Sequence, residues 1–267
     1  MDITDLQLET RWILEVSKNP DGIGWSDLGR ILEPADFGQP VGTIIGDPTG
    51  ILLPDGRIRL FVFVDGQGVW RAVSRDASGT IFQVEGRCTL IPHAGTNQRG
   101  IPWGMPRVVV IPGAWRMFYI QDGGIASATS SDHFIWTQEP GLRITAVQAG
   151  VRGTTTGSLV ALAGGGYRLY FSEGRNSPSD PATPMKSAVS PDMLQWTMDP
   201  GVRIGPGAPH LDQNATDPFV LANPDGTVTA WYLVQVSTGS SFQGPGGLYV
   251  STSADFSYDH PDPVYPD

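Results

Sequence analysis

The sequence has few charged residues and almost no cysteine. Charged residues make up 16% of the chain, well below the roughly one quarter of an average globular domain. The single cysteine, Cys88, excludes an internal disulfide. The formal net charge of −10 disfavours nucleic acid and anionic membranes as partners, because phosphate groups repel an acidic surface.

Long hydrophobic runs are also missing. No stretch approaches the roughly 20 apolar residues that span a bilayer, and the start, MDITDLQLETRW, lacks the basic and apolar regions of a secretory signal. We therefore expect a soluble, cytoplasmic protein, with a trimmed leader as the alternative. Glycine (34) and proline (23) are abundant, and they divide the chain into short segments typical of β-strands.

One short pattern recurs five times at nearly even intervals. Each copy ends in an aspartate, and successive copies lie 55, 56, 60 and 63 residues apart. An aromatic residue follows each aspartate, and a β-rich run precedes it, which indicates a strand, a tight turn and a second strand. The pairs are Asp21 and Trp25, Asp76 and Phe82, Asp132 and Trp136, Asp192 and Trp196, and Asp255 and Tyr258.

A second pattern alternates with the first. It reads D-P-x-x-x-x-x-P-D-G at 47–56 and 217–226, with degenerate copies at 105–113 and 157–165. An apolar strand follows each copy, and strands buried on both faces are this apolar. The two patterns together give four strands in a unit of about fifty residues, which is typical of a β-propeller blade.

The sequence therefore predicts an all-β fold, a five-bladed β-propeller forming a single domain over residues 1–267. The inner strands should begin near residues 48, 107, 158 and 218, and a partial N-terminal blade, residues 1–34, should complete the ring. A β-helix or a β-sandwich is the alternative, but neither explains two alternating patterns.

Blade geometry divides the polar residues between two faces. The repeated aspartates fall in the turns between strands 3 and 4, where a short side chain caps its own turn. The aromatic residues after them should pack between blades, and three arginines at one place in strand 2 should belong to the scaffold. These arginines are Arg59, Arg116 and Arg168.

The opposite face holds the long loops, where binding residues concentrate. Asp47 and Asp217 open inner strands there, and two carboxylates suit glycosidic cleavage, with one as acid and the other as base or nucleophile. The competing interpretation is that an aspartate before proline only fixes a turn. Glu173, in a loop between strands 2 and 3, is a further catalytic candidate.

Other residues of this face are candidates for binding a small molecule or an oligosaccharide. They are Trp103 and Phe37 as an apolar platform, and Arg107, His93, His210, Asp212 and Asn214 as polar contacts. No close ligand spacing supports a metal site, and phosphate-binding glycine motifs are absent, so we predict no metal or other cofactor. Cys88 has no obvious activating partner and should be a small buried residue.

The D-P-x-x-x-x-x-P-D-G strand, the Y-R-L-Y-F-S strand (167–172) and the S-x-D-x-x-x-W-T-x-E-P-G turn (130–141) resemble the five-bladed glycosidases of the arabinanase, β-xylosidase and levansucrase group. The turn is also similar to the Asp boxes of sialidases, without their glycine and threonine. The resemblance covers nearly the whole chain, and it implies a propeller with three catalytic carboxylates on the first three inner strands.

This chain departs from that group at two of the three carboxylates. Asp47, followed by a proline, matches the general base. The position of the second carboxylate is occupied by Met105 or Arg107, depending on register, within W-G-M-P-R-V (103–108). The general acid is replaced by Thr156 within G-T-T-T-G-S (153–158).

Two hypotheses follow. The first is a divergent glycoside hydrolase in which Asp47 pairs with Asp217 or, failing that, with Glu173. The second is a propeller that binds a small molecule or glycan without hydrolysis, or that performs another reaction such as a cyclisation. The retained Asp-Pro pair favours the first hypothesis, and the missing glutamate favours the second.

Overall fold

In a computed structural model of the chain, the structure describes residues 14–18, 26–94, 104–174, 184–205, 214–235 and 247–253. Strands dominate these residues, and the helical segments are a 3-10 turn at Pro34–Phe37 and a single α-helical turn, α1, at Ala146–Ala149. The first two strands, β1 (Leu14–Lys18) and β2 (Ser26–Leu32), form an antiparallel pair of their own. None of the helices in the described ranges has the length and hydropathy of a membrane span.

Four larger sheets follow along the chain, each built from strands that are consecutive in sequence. The first contains β3 (Ile45–Leu52), β4 (Ile58–Val64), β5 (Gly68–Ser74) and β6 (Phe82–Arg87). The second contains β8 (Gly104–Ile111), β9 (Ala114–Gln121), β10 (Gly124–Ser130) and β11 (Ile135–Gln138), with β7 (Thr89–Ile91) added parallel to β11. The third contains β12 (Ser158–Ala161), β13 (Tyr167–Ser172), β14 (Met185–Ser190) and β15 (Thr197–Met198). The fourth contains β16 (Asn214–Ala222), β17 (Val228–Gln235) and β18 (Gly247–Ser253).

These sheets are the blades of an all-β, β-propeller arrangement, so the prediction of an all-β propeller is confirmed. The four inner strands, β3, β8, β12 and β16, begin within four residues of the predicted starts. The blade count is not confirmed, because the described residues form four blades rather than five. Of the N-terminal residues that the structure describes, β1 and β2 form the two-stranded sheet.

The chain divides into two compact units. The first unit consists of residues 1–117 and 128–138, and the second of residues 118–127 and 139–267. Each has its own hydrophobic core, because strands of neighbouring sheets within a unit bury their apolar faces. The core of the first unit includes Leu32, Phe37, Ile45, Val62, Val64 and Ala72. The core of the second includes Val160, Tyr170, Met185, Val220, Ala230 and Tyr232.

The repeated aspartates cap their own turns, as predicted. Asp132 Oδ1 accepts hydrogen bonds from the amides of Phe134 and Ile135, both at 2.8 Å. Asp192 Oδ1 repeats this with Leu194 at 2.8 Å and Gln195 at 3.0 Å. These amides hold the pKa of both carboxyl groups below its usual range. The aspartates at 21 and 255 lie outside the described residues.

The tryptophan after each of these turns joins the turn to a neighbouring strand. Trp136 Nε1 donates to His133 O at 3.3 Å, and its ring meets Phe61 edge-on at 5.7 Å. Trp196 repeats the pattern, with its Nε1 3.2 Å from Met193 O and its ring 5.9 Å from Phe118. The predicted packing role of the aromatic residues is confirmed for these two copies.

Replacing Asp132 by alanine should lower the free energy of unfolding by about 0.5–2 kcal/mol, the usual cost of losing a capping side chain. Asp192→Ala should act in the same direction. Asp132→Asn keeps an acceptor oxygen at the cap and should avoid much of this loss of stability, so urea unfolding of the three variants tests the capping role. Equal losses for alanine and asparagine at position 132 would contradict it.

The arginines of strand 2 form ion pairs within their blades. Arg59 meets Glu85 through two bonds, Nε to Oε2 and Nη2 to Oε1, both 2.9 Å. Arg168 Nε lies 3.0 Å from Asp199 Oδ2. The scaffold role is therefore confirmed for Arg59 and Arg168, and Arg116 is buried.

A buried histidine follows the aspartate of one turn. His133 is 6% exposed, and its Nδ1 accepts a hydrogen bond from Arg59 Nη1 at 2.6 Å. Burial, with the nearby positive charges of Arg59 and Arg71, lowers the pKa of His133 from 6.5 to about 4. The folded protein therefore keeps this imidazole neutral at pH 7.

This histidine should make the fold acid-sensitive. Because the pKa of His133 is lower in the folded chain than in the unfolded one, unfolding takes up a proton between about pH 6.5 and pH 4. The free energy of unfolding should therefore fall as the pH is lowered through this window. His133→Gln keeps a neutral acceptor and should flatten the fall in urea titrations at several pH values. An identical pH dependence in both proteins would contradict the assignment.

Candidate functional site

Three inner strands share an unusual backbone conformation at their start. Asp47, Met105 and Asp217 have φ angles of 51°, 51° and 52°, and each precedes a proline. A positive φ is uncommon for a residue other than glycine, and a residue before proline is normally extended. Such strained positions cluster at functional sites. We call this conformation the inner-strand kink.

Two of the kinks coincide with β-bulges. Pairing of β3 with β4 is shifted between Gly46 and Thr49, around Asp47. Pairing of β16 with β17 is shifted in the same way between Thr216 and Phe219, around Asp217. A bulge leaves residues out of the ladder and re-aims a side chain, as is common beside active sites.

Strand register identifies the equivalent position in the third blade. Thr49 pairs with Phe61 in the first blade, and Ser158 pairs with Tyr170 in the third. Counting back two residues from Thr49 and from Ser158 gives Asp47 and Thr156. The position is therefore occupied by aspartate, methionine, threonine and aspartate in the four blades, and Met105 rather than Arg107 is its occupant in the second.

Asp47 belongs to the first unit and is half-buried. The strand next to it, β8, contacts the two residues that follow Asp47. Arg107 Nη1 donates to Pro48 O at 3.2 Å, and the amide of Val108 donates to Thr49 Oγ1 at 3.5 Å. A guanidinium group is thus anchored at the carbonyl of the residue that follows Asp47.

Asp217 belongs to the second unit and is also half-buried. Its Oδ2 accepts a hydrogen bond from Thr216 Oγ1 at 3.1 Å. The start of its strand is tied to the third blade, because Ser172 Oγ donates to Ala215 O at 3.0 Å. The carboxylate is therefore carried by a strand end whose backbone is held in place.

The third blade carries buried hydroxyl groups where the general acid was expected. Thr154, Thr155 and Thr156 are each less than a tenth exposed. Thr155 Oγ1 lies 3.2 Å from both the carbonyl and the amide of Ser172, so it satisfies the backbone of β13. A threonine hydroxyl does not ionise as a carboxyl does, so this strand supplies no general acid of its own.

Glu173 lies beside this segment. Thr154 and Glu173 form an antiparallel bridge, which places their side chains on one side of the ribbon, two residues from Thr156 in sequence. Glu173 Oε1 accepts hydrogen bonds from Arg152 Nε at 2.8 Å and from the amide of Arg152 at 3.2 Å. Its side chain is 14% exposed. A carboxylate is therefore present on this side of the third blade, but it comes from the neighbouring strand.

The structure corrects one predicted binding residue and places others. Phe37 is 3% exposed and meets the Trp70 ring edge-on at 5.8 Å, so it is a core residue rather than a platform for a ligand. His93 is exposed, and its amide donates to Gln138 Oε1 at 3.2 Å. Asn214 is the first residue of β16. Trp103, His210 and Asp212 lie outside the described residues.

The thiol of Cys88 is unsuited to nucleophilic chemistry. Cys88 is buried, and burial raises the pKa of its thiol to about 12, so the reactive thiolate does not form near neutral pH. The prediction of a small buried residue is confirmed.

Within the part of the chain that the structure describes, histidine, cysteine, aspartate and glutamate nowhere form a group of three that could hold a metal ion.

Comparison with known proteins identifies the fold. No protein family model matches the sequence, and no curated protein does. Several solved structures are similar in fold. One described as a glycoside hydrolase shares 19% identity and a TM-score of 0.66, covering 96% of this chain and 81% of its own. A putative glycoside hydrolase from Parabacteroides distasonis shares 14% identity and a TM-score of 0.65, covering 92% and 79%. An endo-arabinase from Bacteroides thetaiotaomicron shares 14% identity and a TM-score of 0.59, covering 83% and 80%.

Proposed function

We propose that this chain, whose fold is that of glycoside-hydrolase-like propellers, hydrolyses a glycosidic bond in a small glycoside or oligosaccharide. The observation that carries the proposal is the kink at Asp47, which holds a half-buried carboxylate at the start of the first inner strand. The resemblance to propeller glycosidases assigns the general base to this residue. The base would take a proton from the attacking water while a second carboxyl group protonates the leaving oxygen.

Asp217 is the proposed second carboxyl group. It shares the kink, the bulge and the following proline with Asp47. Glu173 is the alternative, but its Oε1 is engaged by Arg152, so that oxygen is not available to donate a proton. His93, His210, Asp212, Asn214 and Trp103 remain proposed contacts of the sugar.

A second candidate function is ligand binding without hydrolysis, or another reaction such as a cyclisation or isomerisation. Met105 and Thr156 favour it, because they occupy the positions that correspond to Asp47 in the second and third blades. Neither side chain can act as a carboxylic acid. The scaffold would then bind its ligand without the full set of catalytic groups.

Turnover separates the two candidates. The intact chain should release the chromophore from at least one aryl glycoside in a panel of arabinofuranoside, xyloside, fructoside and sialoside. Its activity should show a bell-shaped pH profile, as expected for one acid and one base. Binding of a sugar by calorimetry without turnover of any substrate would favour the second candidate.

Two further predictions from the sequence are retained as proposals. We propose that β1 and β2 belong to a fifth blade, which an experimental structure showing additional strands paired with them would establish. We also propose that the protein is cytoplasmic, which cell fractionation tests.

A further inference from the structure

The kink at Asp47 interrupts the pairing of its strand with β4. Pairing of β3 with β4 runs up to Gly46 and resumes at Thr49, so Pro48 lies in the gap. Proline has no N–H group to contribute to a ladder. The donor that reaches the Pro48 carbonyl, at 3.2 Å, is Arg107 Nη1 of the neighbouring strand β8.

A second contact from the same strand holds the next residue. The amide of Val108 donates to Thr49 Oγ1 at 3.5 Å, and Thr49 is buried. Strained backbone persists only where its surroundings hold it. Arg107 and Val108 together fix both residues that follow Asp47, so β8 holds the kink from one side.

Arg107 also brings a positive charge to the residue that follows Asp47. The strands that pack on β3 are β4 and β8, and β4 presents Phe61, Val62 and Phe63 opposite the kink. Arg107 is the one charged residue in the sequence of β8. Asp65, beyond the end of β4, bonds through its amide to Ile44 O. Arg59 pairs with Ile51, further along the strand.

We infer that Arg107 is a positioning residue for Asp47, holding the Pro48 carbonyl that follows the kink and bringing a fixed positive charge near the carboxylate. The inference rests on the proposed role of Asp47 as general base. A nearby positive charge favours the ionised form of a carboxyl group, and a general base must be ionised to accept a proton. Arg107 thus acts through Asp47 rather than on the substrate.

The test is a carboxyl NMR titration of Asp47 in the intact chain, with the signal assigned by its loss in Asp47→Asn. Arg107→Gln should raise the titration midpoint of Asp47 by about one pH unit, the lower end of the effect of a neighbouring opposite charge. Arg107→Lys keeps the positive charge, so the midpoint of Asp47 in this variant should lie close to its value in the parent. Arg57→Gln is the matched control, because Arg57 is exposed and pairs with Asp55 in the β3–β4 turn.

Activity provides the second measurement. If the chain is a hydrolase, Arg107→Gln should move the acid limb of its pH profile upward by the same amount and lower kcat about tenfold, with KM nearly unchanged. A salt series on the parent needs no variant: screening of the Arg107 charge should raise the Asp47 midpoint, against the fall that screening of the net charge of −10 causes in carboxyl groups generally. This measurement decides the matter if Arg107→Gln does not fold.

The two proposals fail separately. An Asp47 midpoint that is unchanged by both salt and Arg107→Gln would overturn the role of Arg107, whatever the activity. A shifted midpoint in a chain that hydrolyses no glycoside would support the Arg107–Asp47 coupling and contradict the proposed function.

Discussion

Asp47→Asn is expected to lower kcat for the best aryl glycoside by about a hundredfold or more, the usual contribution of a positioned general base. Asparagine has nearly the shape of aspartate, so the kink and the fold should remain. It has no basic oxygen, so water at the sugar would no longer be deprotonated. Affinity for a sugar should survive, because the change removes a proton acceptor rather than a binding surface.

Variants at the other carboxylates show which residue is the catalytic partner of Asp47. Asp217→Asn should lower kcat comparably if Asp217 is the partner, and Glu173→Gln should do so if Glu173 takes that role. Asp55→Asn changes an exposed aspartate that is paired with Arg57 and should leave kcat unchanged. A parent activity that survives both Asp47→Asn and Asp217→Asn would show that the reacting groups lie elsewhere.

The repeat made the blades predictable from sequence. Each aspartate turn is local, since its bonds join residues two or three positions apart, as from Asp132 to Phe134 and Ile135. Such bonds depend on short patterns of residue types, which recur visibly along the chain. The inner strands were predictable for a similar reason, because a buried strand needs a continuous apolar run.

Features that depend on contacts between distant segments were not predictable. The strand β7 pairs in parallel with β11, about 45 residues away in sequence, and its three residues carry no pattern of their own. Phe37 was expected to face a ligand, because aromatic residues in loops often do. It is buried instead in the core of the first unit, where it meets Trp70.

Some residues of the candidate site were recognisable from local sequence, and others only from the structure. Asp47 and Asp217 were recognisable from the residues D-P at the start of an apolar run. The equivalence of Met105 was left open, because only backbone angles show that it shares the kink. The contact of Arg107 with Pro48 joins residues 59 positions apart, and no local pattern reports it.

The third blade shows why its inner strand lacks the kink. The residue after Thr156 is Gly157, where the other three blades have proline. At this glycine the backbone comes so close to β13 that an added Cβ atom would lie 1.8 Å from Tyr170 O. Neither a proline nor any residue with a side chain fits there unless β13 moves. The strand therefore runs against its neighbour without the kink seen at Asp47.

Gly157→Ala should consequently be among the most damaging single substitutions in this chain. The new methyl group would push on the carbonyl of Tyr170, which pairs with Ser158, and on the core around Tyr170. Because the obstacle is backbone rather than a flexible side chain, we expect the free energy of unfolding to fall by about 3 kcal/mol or more, the upper range for overpacking. Gly164→Ala is the control, since Gly164 is exposed and an added Cβ atom there meets no other atom within 4 Å. Urea unfolding of both variants tests the prediction, and similar stabilities would mean that β12 and β13 are not packed this closely.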